Sequence, residues 1–391
     1  MMNVPETARV AIVGGGPVGL YLALVLAHLR VSARVFERHP ESQATSRSIG
    51  VHPPSIELLA EIGLADRFLA SGVSVRCAEV HGDRGSLGRL SFQNCRPPHR
   101  YVLTIPQNAT ENILRAALEE RAPGALEARE VLGVEKRIHA SVALRLAAPQ
   151  AVESRTEERR AYAVVVGCDG KNSVVRRSLG IPFAGGAYAG EYAMADFPDA
   201  TRLGRAAAIY LGRAGLLESF PLPGGMRRWV ARCVDGEAPT IDALVAHVRQ
   251  RAALALDGSL ATHVSSFRAE RRQAARFARG RVALAGDAAQ IVSPIGGQGM
   301  NLGWLGARSL AQTIATNLHV SYALERALAR DGAIRQRVST AAARRAELNM
   351  WLGRPQLNPW MRDSLVSCLL GTPASSILAR VFTMRGLALG W

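Results

Sequence analysis

The N-terminal sequence RVAIVGGGPVGLYLALVLAHLRVSARVFERH, residues 9–39, constrains the fold of this chain more than any other stretch. It reads as a short apolar strand, a turn of consecutive glycines, an apolar helix and a second strand that ends at Phe36. Residues 11–29 could pass for a signal peptide or a membrane span, but the glycines and Pro17 would interrupt a spanning helix and no basic region precedes them. The pattern predicts a buried βαβ unit.

The glycines of this turn have the spacing of a dinucleotide-binding motif. Gly14 would permit the tight turn, Gly16 would let the backbone approach a pyrophosphate, and Gly19 would let the helix lie close to the strand. The helix N-terminus would offer N–H groups and partial positive charge to the phosphates. Glu37 would accept hydrogen bonds from ribose hydroxyls and repel a 2′-phosphate. The motif points to FAD or NAD and against NADP, with a ligand-free glycine turn as the alternative.

A second strand, turn and helix start follows much later, in RVALAGDAAQIVSPIGGQGMN, residues 281–301. Asp287 could accept hydrogen bonds from ligand hydroxyls, while Gly296, Gly297 and Gly299 could expose backbone N–H groups at a helix N-terminus. A long cofactor with phosphates at one end and a ring that becomes anionic at the other would use two such helix ends. FAD has this shape, and a helix dipole stabilises the negative charge of its reduced ring.

With these motifs in this order, the chain resembles the single-component FAD-dependent aromatic hydroxylases, the para-hydroxybenzoate hydroxylase-like group, over nearly its whole length. Further matching segments are ERHPESQATSRSIGVHPPSIELLAEIGL, IPQNATENILRAAL and VVGCDGKNSVVRRSLG. The resemblance implies a set of cofactor-binding residues: Gly14, Gly16, Gly19, Glu37, Arg38, Arg47, Gln107, Asp169, Asp287, Gly299, Met300 and Asn301.

The same resemblance places four residues at the flavin face, namely Arg47, Pro294, Gly296 and Gly297, and leaves the catalytic residues unassigned. Gln290 departs from the family pattern, which often has His after GDAA. Because an amide can still donate and accept hydrogen bonds, we expect FAD binding to survive, whereas a proton relay at this position is in doubt.

The implied fold is α/β: a Rossmann-like FAD-binding domain with a parallel sheet, interleaved with a mainly antiparallel substrate domain and followed by C-terminal helices. The expected boundaries are 1–75, 101–180 and 276–330 for the FAD-binding domain, 76–100 and 181–275 for the substrate domain, and 331–391 for the helical segment. The alternating strands of the substrate domain offer four candidates for substrate contact, although core packing is favoured for each: Tyr192, Tyr210, Phe220 and Trp229.

Composition limits the other classes of function. The formal net charge is +16, but the arginines are spread along the chain without a groove-reading motif, which argues against nucleic-acid binding. Five scattered cysteines without a CxxC pair argue against a disulfide framework or a metal site and predict a cytoplasmic protein. The basic, amphipathic C-terminus could touch a membrane, but packing on the FAD-binding domain is favoured. The sequence does not indicate an oligomeric state.

The resemblance implies a monooxygenase. NADPH or NADH would reduce FAD, and the reduced flavin would react with O2 to give a C4a-hydroperoxide that hydroxylates an aromatic or quinone-like small molecule. A halogenase is disfavoured because the Trp-x-Trp-x-x-Pro motif and catalytic lysine of that class are not evident. A reductase of a lipophilic prenyl substrate and a non-catalytic FAD-binding protein remain alternatives.

Overall fold

The secondary structure alternates strands and helices along the chain. The computed structural model describes residues 9–39, 48–93, 95–138, 141–147, 157–355 and 358–386. The described helices are α1 (Pro17–His28), α2 (Pro53–Glu61), α3 (Ala65–Ser71), α4 (Gln107–Arg121), α5 (Val174–Ser178), α6 (Ile241–Ala252), α7 (Gln298–Asn317), α8 (Ser321–Leu352), α9 (Trp360–Gly371) and α10 (Ser375–Phe382).

The described strands fall into four sheets. In chain order they are β1 (Val10–Val13), β2 (Ala33–Glu37), β3 (Gly50–Val51), β4 (Val73–Val75), β5 (Cys77–Gly82), β6 (Gly85–Ser91), β7 (Val102–Thr104), β8 (Leu126–Ala128), β9 (Glu130–Ile138), β10 (Ser141–Ala147), β11 (Glu157–Tyr162), β12 (Val164–Gly167), β13 (Phe183–Pro198), β14 (Ala207–Gly212), β15 (Gly215–Leu222), β16 (Met226–Arg232), β17 (Thr262–Ala274), β18 (Ala278–Arg279), β19 (Val282–Leu284) and β20 (Gln290–Ile291).

The predicted βαβ unit lies at the centre of a six-stranded sheet with the order β18-β19-β12-β1-β2-β8. β1 pairs in parallel with both β2 and β12, and β12 pairs in parallel with β19. The four residues of β1 are buried, as expected for a strand covered on both faces. Because parallel strands end at the same edge, the loops after β1, β12 and β19 come together there. These three loops carry the three cofactor motifs.

A separate eight-stranded sheet, which we call the substrate sheet, has the order β20-β17-β13-β16-β15-β14-β5-β6. Its pairs are antiparallel except for β14 with β5. The α/β fold with an interleaved antiparallel sheet and C-terminal helices is therefore confirmed. Strands β5 and β6 join this sheet from far earlier in the chain, and the division into domains stays a prediction.

The two faces of the substrate sheet pack against different elements. On one face Leu217 and Trp229 contact Leu244 and Val248 of α6. The opposite face, which we call the loop face, packs Leu216, Met194 and Val230 against Ile295 and Met350. Ile295 belongs to the glycine-rich loop before α7, so the loop face is the one that meets the third cofactor motif.

The C-terminal helices pack against the end of the substrate sheet formed by β5 and β6. Phe382 of α10 stacks on Phe92 with ring centroids 5.7 Å apart, and Ala379 belongs to the same buried cluster. No single helix in the described ranges is long and apolar enough to cross a membrane, although α9 and α10, bent by 99°, pass that test as a pair by length and composition.

The starts of α1 and α7 lie against each other. Val18 in the first turn of α1 faces both Gly286 and Gly303, where added Cβ atoms would come within 3.1 Å and 2.5 Å of its Cγ2. The indole Nε1 of Trp304 donates a hydrogen bond to the carbonyl oxygen of Pro17 at 2.9 Å. The small residues and this hydrogen bond hold the two helix N-termini side by side.

This contact predicts that the effect of Gly303→Ala on stability depends on the residue at position 18. Gly303→Ala should destabilise the protein by about 1–3 kcal/mol, because overpacking against Val18 outweighs the helix propensity gained, about 1 kcal/mol. In a Val18→Ala background the same substitution should be neutral or stabilising. Urea unfolding of the four proteins measures both effects, and an equal effect of Gly303→Ala in the two backgrounds would contradict the proposed contact.

Candidate functional site

The glycine turn after β1 is shaped by the loop after β12. Gly14 has φ +104°, and a Cβ there would collide with the carbonyl oxygen of Cys168. A Cβ at Gly19 would collide with the Gly14 carbonyl oxygen. At Gly16, in contrast, a Cβ would meet no described atom within 4 Å. The turn is therefore packed on its inner side and open at Gly16, the position predicted to face a pyrophosphate.

Glu37 fixes this turn from the end of β2. Its Oε2 accepts a hydrogen bond from the Gly15 N–H at 2.6 Å, and its Oε1 accepts one from the His39 N–H at 2.9 Å. On the other side of the turn, Arg115 Nη2 donates to the Gly15 carbonyl oxygen at 3.3 Å. Each carboxylate oxygen retains a further lone pair, so Glu37 can still accept from the hydroxyls of a ribose.

The Asp-Gly motif after β12 is held by its own short helix. Asp169 accepts hydrogen bonds from Ser173 Oγ at 2.6 Å and from the Val175 N–H at 3.1 Å. Arg176 is buried, with its guanidinium 3.8 Å from the centroid of the Phe183 ring. Its Nη1 donates to the Ala288 carbonyl oxygen at 2.9 Å, which joins the second motif to the third.

The loop before α7 is fixed by Asn301, which is fully buried. Its Nδ2 donates to the carbonyl oxygens of Gly50 and Gly297, both at 2.8 Å, and its Oδ1 accepts from the His52 N–H at 2.8 Å. Gly296 and Gly297 have φ +87° and +65°, a region that favours glycine. Asn301 therefore ties the loop to the segment just before α2.

His52 contacts the same loop with its ring. Its Nε2 lies 3.0 Å from the Gly296 carbonyl oxygen, and because a carbonyl only accepts, Nε2 carries the proton. Nδ1 is buried and has no hydrogen-bond partner among the described residues. Burial of the ring lowers the pKa of His52 to about 4. The histidine is therefore neutral at physiological pH, and sequence analysis did not single it out.

The start of α7 has free hydrogen-bonding capacity. No side chain caps this N-terminus in the described chain, and the same is true of α1. Gln298, in the first turn, is fully buried, yet neither its Nε2 nor its Oε1 has a partner among the described residues. Gln290, the residue that departs from the family pattern, is also buried, and its Oε1 lacks a described partner.

The remaining predicted cofactor residues differ in their exposure to solvent. Gln107 begins α4 and its Nε2 donates to Glu111 at 2.9 Å, while Gly299 and Met300 are half-buried at the start of α7. Asp287, Pro294 and Arg38 are exposed. Arg47 lies outside the described residues. The roles of all these residues in cofactor binding stay predictions.

The four predicted substrate residues divide between the two faces of the substrate sheet. Tyr192 and Phe220 are on the loop face, and Tyr192 stacks on Phe267 with centroids 5.1 Å apart. Tyr210 and Trp229 pack on α6 on the other side. Strand alternation turns Tyr210 and Trp229 away from the glycine-rich loop and into the core at α6, in line with the core packing favoured for them, and substrate contact by any of the four stays a prediction.

The loop face contains a residue that sequence analysis missed. Glu218 of β15 is only 5% exposed, and its cross-strand neighbours are Ile209 and Val230. Burial raises its pKa to about 7. The signal in the sequence is a single carboxylate inside the apolar run GLLESFPL, which alternation alone does not assign to a face.

Cys233, Glu237 and His247 converge elsewhere, with ligand atoms within 4.8 Å of one another. Arg251 donates to His247 Nδ1 at 3.2 Å, so the proton is on Nε2, which donates to Glu237 at 2.7 Å. A protonated Nε2 cannot ligate a metal ion. Arg251, His247 and Glu237 therefore form a hydrogen-bonded chain on the α6 side of the sheet, and Cys233 lies beside it.

Comparison with known proteins identifies the family. Residues 7–346 match the FAD binding domain family. The chain belongs to this flavoprotein family. The resemblance predicted from the motifs is thereby confirmed.

Two curated relatives are longer than the chain. The rifampicin monooxygenase of Streptomyces venezuelae is 32% identical over 318 residues, which cover 79% of this chain and 64% of that protein. The 6-methylpretetramide 4-monooxygenase of Streptomyces rimosus is 36% identical over 320 residues, which cover 78% and 55%. The chain thus spans less than two thirds of the length of these curated relatives.

One solved structure matches almost end to end. The p-nitrophenol 4-monooxygenase PnpA from Pseudomonas putida DLL-E4 superposes with a TM-score of 0.85 and covers 98% of both chains, at 21% sequence identity. At this identity the match shows a shared fold.

The geometry fits FAD, the cofactor of this flavoprotein family. Gly16 leaves open the space that a side chain would fill, next to an uncapped helix N-terminus that suits a pyrophosphate. Glu37 retains acceptor capacity for a ribose. Buried Gln298 offers an unused donor and acceptor at a second uncapped helix start. Together these groups could hold the two ends of the cofactor.

The open space at Gly16 allows the predicted FAD site to be tested by substitution. Gly16→Val should abolish FAD binding while leaving the apoprotein folded, because an added Cβ meets no described atom within 4 Å and the side chain would occupy the predicted pyrophosphate position. FAD fluorescence titration and urea unfolding measure the two properties. Gly14→Ala is the contrast, since its collision with Cys168 should destabilise the apoprotein as well. Unimpaired FAD binding by Gly16→Val would contradict this site.

His52 predicts a pH dependence. Its folded pKa of about 4 is below the usual 6.5, so its contribution to stability is complete above pH 6.5 and is lost as the pH falls towards 4. The full effect is about 3 kcal/mol. We expect His52→Gln to reduce the stability difference between pH 7.5 and 4.5 by most of this amount in urea unfolding.

The matched control for that experiment is His28→Gln, on the exposed end of α1. This variant should keep the native pH dependence. An unchanged dependence in His52→Gln would show that the histidine is not buried in the neutral form.

Proposed function

We propose that this flavoprotein is an FAD-dependent monooxygenase that uses NADPH or NADH and O2 to hydroxylate an aromatic or quinone-like small molecule. The observation that carries the proposal is the pair of uncapped helix starts, α1 and α7, held side by side through Val18 and Trp304 below the apolar loop face of the substrate sheet. The monooxygenase names of the curated relatives support the same reaction class.

One set of residues would hold the cofactor, and another would enclose the substrate. The turn at Gly16 and the start of α1 would bind the phosphates of FAD, and Glu37 would accept hydrogen bonds from its ribose. The loop at Gly296 and Gly297, fixed by Asn301, sets the position of the ring end. When bound, FAD supplies the electron transfer and oxygen activation that no side chain can perform.

The loop face excludes water from the reacting end. Met194, Leu216, Val230 and Ile295 form a buried apolar cluster there, and Tyr192 closes one side by stacking on Phe267. A dry, apolar surface protects reactive intermediates and accepts a flat ring. The names of the relatives, which refer to rifampicin and a pretetramide, favour a polycyclic phenol or quinone of secondary metabolism as the substrate.

The proposed compartment is the cytoplasm. The five cysteines are all unpaired, and Cys368 is exposed. Free thiols of this kind suit a reducing environment. No role for a nucleic acid or a metal ion is part of the proposal.

The test is spectroscopy followed by turnover. The purified protein should show a flavin spectrum, and a panel of phenols, quinolones and quinones should include one that accelerates NADPH or NADH oxidation under air and yields a product heavier by one oxygen. Gly16→Val is the matched control and should lack both signals. Anaerobic reduction of a double bond would instead identify a reductase, and bound FAD without turnover on any ligand would identify a non-catalytic protein.

A further inference from the structure

Glu218 is a buried carboxyl group without a partner. Its side chain is only 5% exposed, and it forms no hydrogen bond or salt bridge with any residue in the described ranges. Burying an ionisable group in this way costs free energy unless a donor compensates for it. A protein retains such a group more readily where a ligand supplies the missing donor.

The position of Glu218 on β15 points it towards the candidate substrate space. Its neighbours two residues away on the same face are Leu216, which packs with Ile295 and Met350, and Phe220, which packs with Phe92. The carboxyl group therefore lies between the cluster that contacts the glycine-rich loop and the cluster covered by α10.

The cations around Glu218 are engaged elsewhere. Arg228 binds Asp196 through two hydrogen bonds of 2.6 Å and 2.8 Å, and Arg232 donates to Asp235 at 2.8 Å. Arg362 of α9, which packs over this face, donates to Asp363 and to the Leu211 carbonyl oxygen. None of these guanidinium groups forms a salt bridge with Glu218 in the described structure.

Tyr192 and Arg354 complete the charged and titratable surroundings. The Tyr192 hydroxyl donates to Met350 Sδ at 3.9 Å rather than to a carboxylate. Burial, followed by the Glu218 carboxylate, raises the pKa of Tyr192 to about 12, whereas Arg232 and Arg354 oppose the shift. Tyr192 therefore stays protonated at neutral pH, whereas burial raises the pKa of Glu218 into the neutral range.

We propose that Glu218 accepts the hydroxyl proton of a phenolic substrate bound against the loop face. The substrate O–H bond breaks, its electron pair stays on the oxygen as phenolate, and the proton moves to a Glu218 carboxylate oxygen. Phenolate formation makes the ring more electron-rich and thus more reactive towards an electrophilic oxygen. This role rests on the proposed function and narrows its substrate class to rings that carry an acidic hydroxyl group.

The carboxyl chemistry supports the role. A pKa of about 7 gives Glu218 comparable amounts of carboxylate and acid at neutral pH, which suits a group that takes and returns a proton. The ionised form can only accept a hydrogen bond, so it favours a phenol over the corresponding methyl ether. The protonated form can donate to either oxygen, so the preference should disappear below pH 7.

Ligand binding tests the proposal without turnover. Equilibrium dialysis of the FAD-loaded protein compares 4-nitrophenol, 1-naphthol and 5-hydroxy-1,4-naphthoquinone, each with its methyl ether. At pH 8 at least one phenol should bind about tenfold or more tightly than its ether, as expected for a hydrogen bond to a charged acceptor. 1-Naphthol stays protonated at pH 8, and its binding preference over its methyl ether should be smaller at pH 5.5 than at pH 8.

Two variants test whether Glu218 causes the preference for a phenol over its methyl ether. Glu218→Gln keeps the shape, removes the charge and should reduce the preference to about twofold or less, because the amide can also donate to an ether oxygen. Glu79→Gln makes the same change on β5 of the same sheet, opposite Ala208 and on the other face, and should leave the preference intact. Equal preferences in native protein and Glu218→Gln, or no preference in any pair, would overturn the proposal.

The two proposals can fail separately. If native protein prefers phenols through Glu218 but never forms an oxygenated product, the monooxygenase function is wrong and the Glu218 site stands. If oxygenated product forms and Glu218→Gln retains the native pH profile of kcat/KM, the function stands and Glu218 is not the proton acceptor.

Discussion

The site depends on the close contact between the first turn of α1 and the second turn of α7. Val18 fits only because Gly286 and Gly303 lack side chains, and Trp304 fastens the pair through the Pro17 carbonyl oxygen. Two helix N-termini that come from opposite parts of the chain thereby point into one region. Their partial positive charges add there, which a cofactor with phosphates and an anionic ring can use and a neutral ligand cannot.

Several motif residues form hydrogen bonds with backbone groups of the protein and thereby hold its loops in place. Arg176 joins the Asp-Gly loop to the Ala288 carbonyl oxygen, and Asn301 joins the loop before α7 to Gly50 and His52. Glu37 holds the backbone of the glycine turn. A site assembled from distant loops needs such connections, because a pyrophosphate and a ring can be bound together only if the loops keep a fixed separation.

Local patterns could be predicted from the sequence, whereas relationships between distant strands could not. The spacing of Gly14, Gly16 and Gly19 identified the βαβ unit because each glycine answers a local steric requirement. Alternation in the substrate sheet showed two faces but not which of them meets the loop, so it could not separate Tyr192 and Phe220 from Tyr210 and Trp229. Burial of His52 depends on the loop at Gly296, 244 positions away, and burial of Glu218 depends on the strands that pair on either side of it at Ile209 and Val230. Neither burial has a local signal in the sequence.

Two carboxylates in or next to the substrate sheet are paired with buried arginines, unlike Glu218. Arg228 neutralises Asp196 inside the sheet, and Arg227, fully buried, neutralises Asp199 at 2.9 Å. The chain has a large excess of arginine, so a cation for Glu218 would have been easy to supply. A guanidinium there would lower the pKa of the carboxyl group and weaken it as a base. Because apolar residues surround Glu218, its carboxyl group stays basic enough to take a proton. The burial of this group costs free energy.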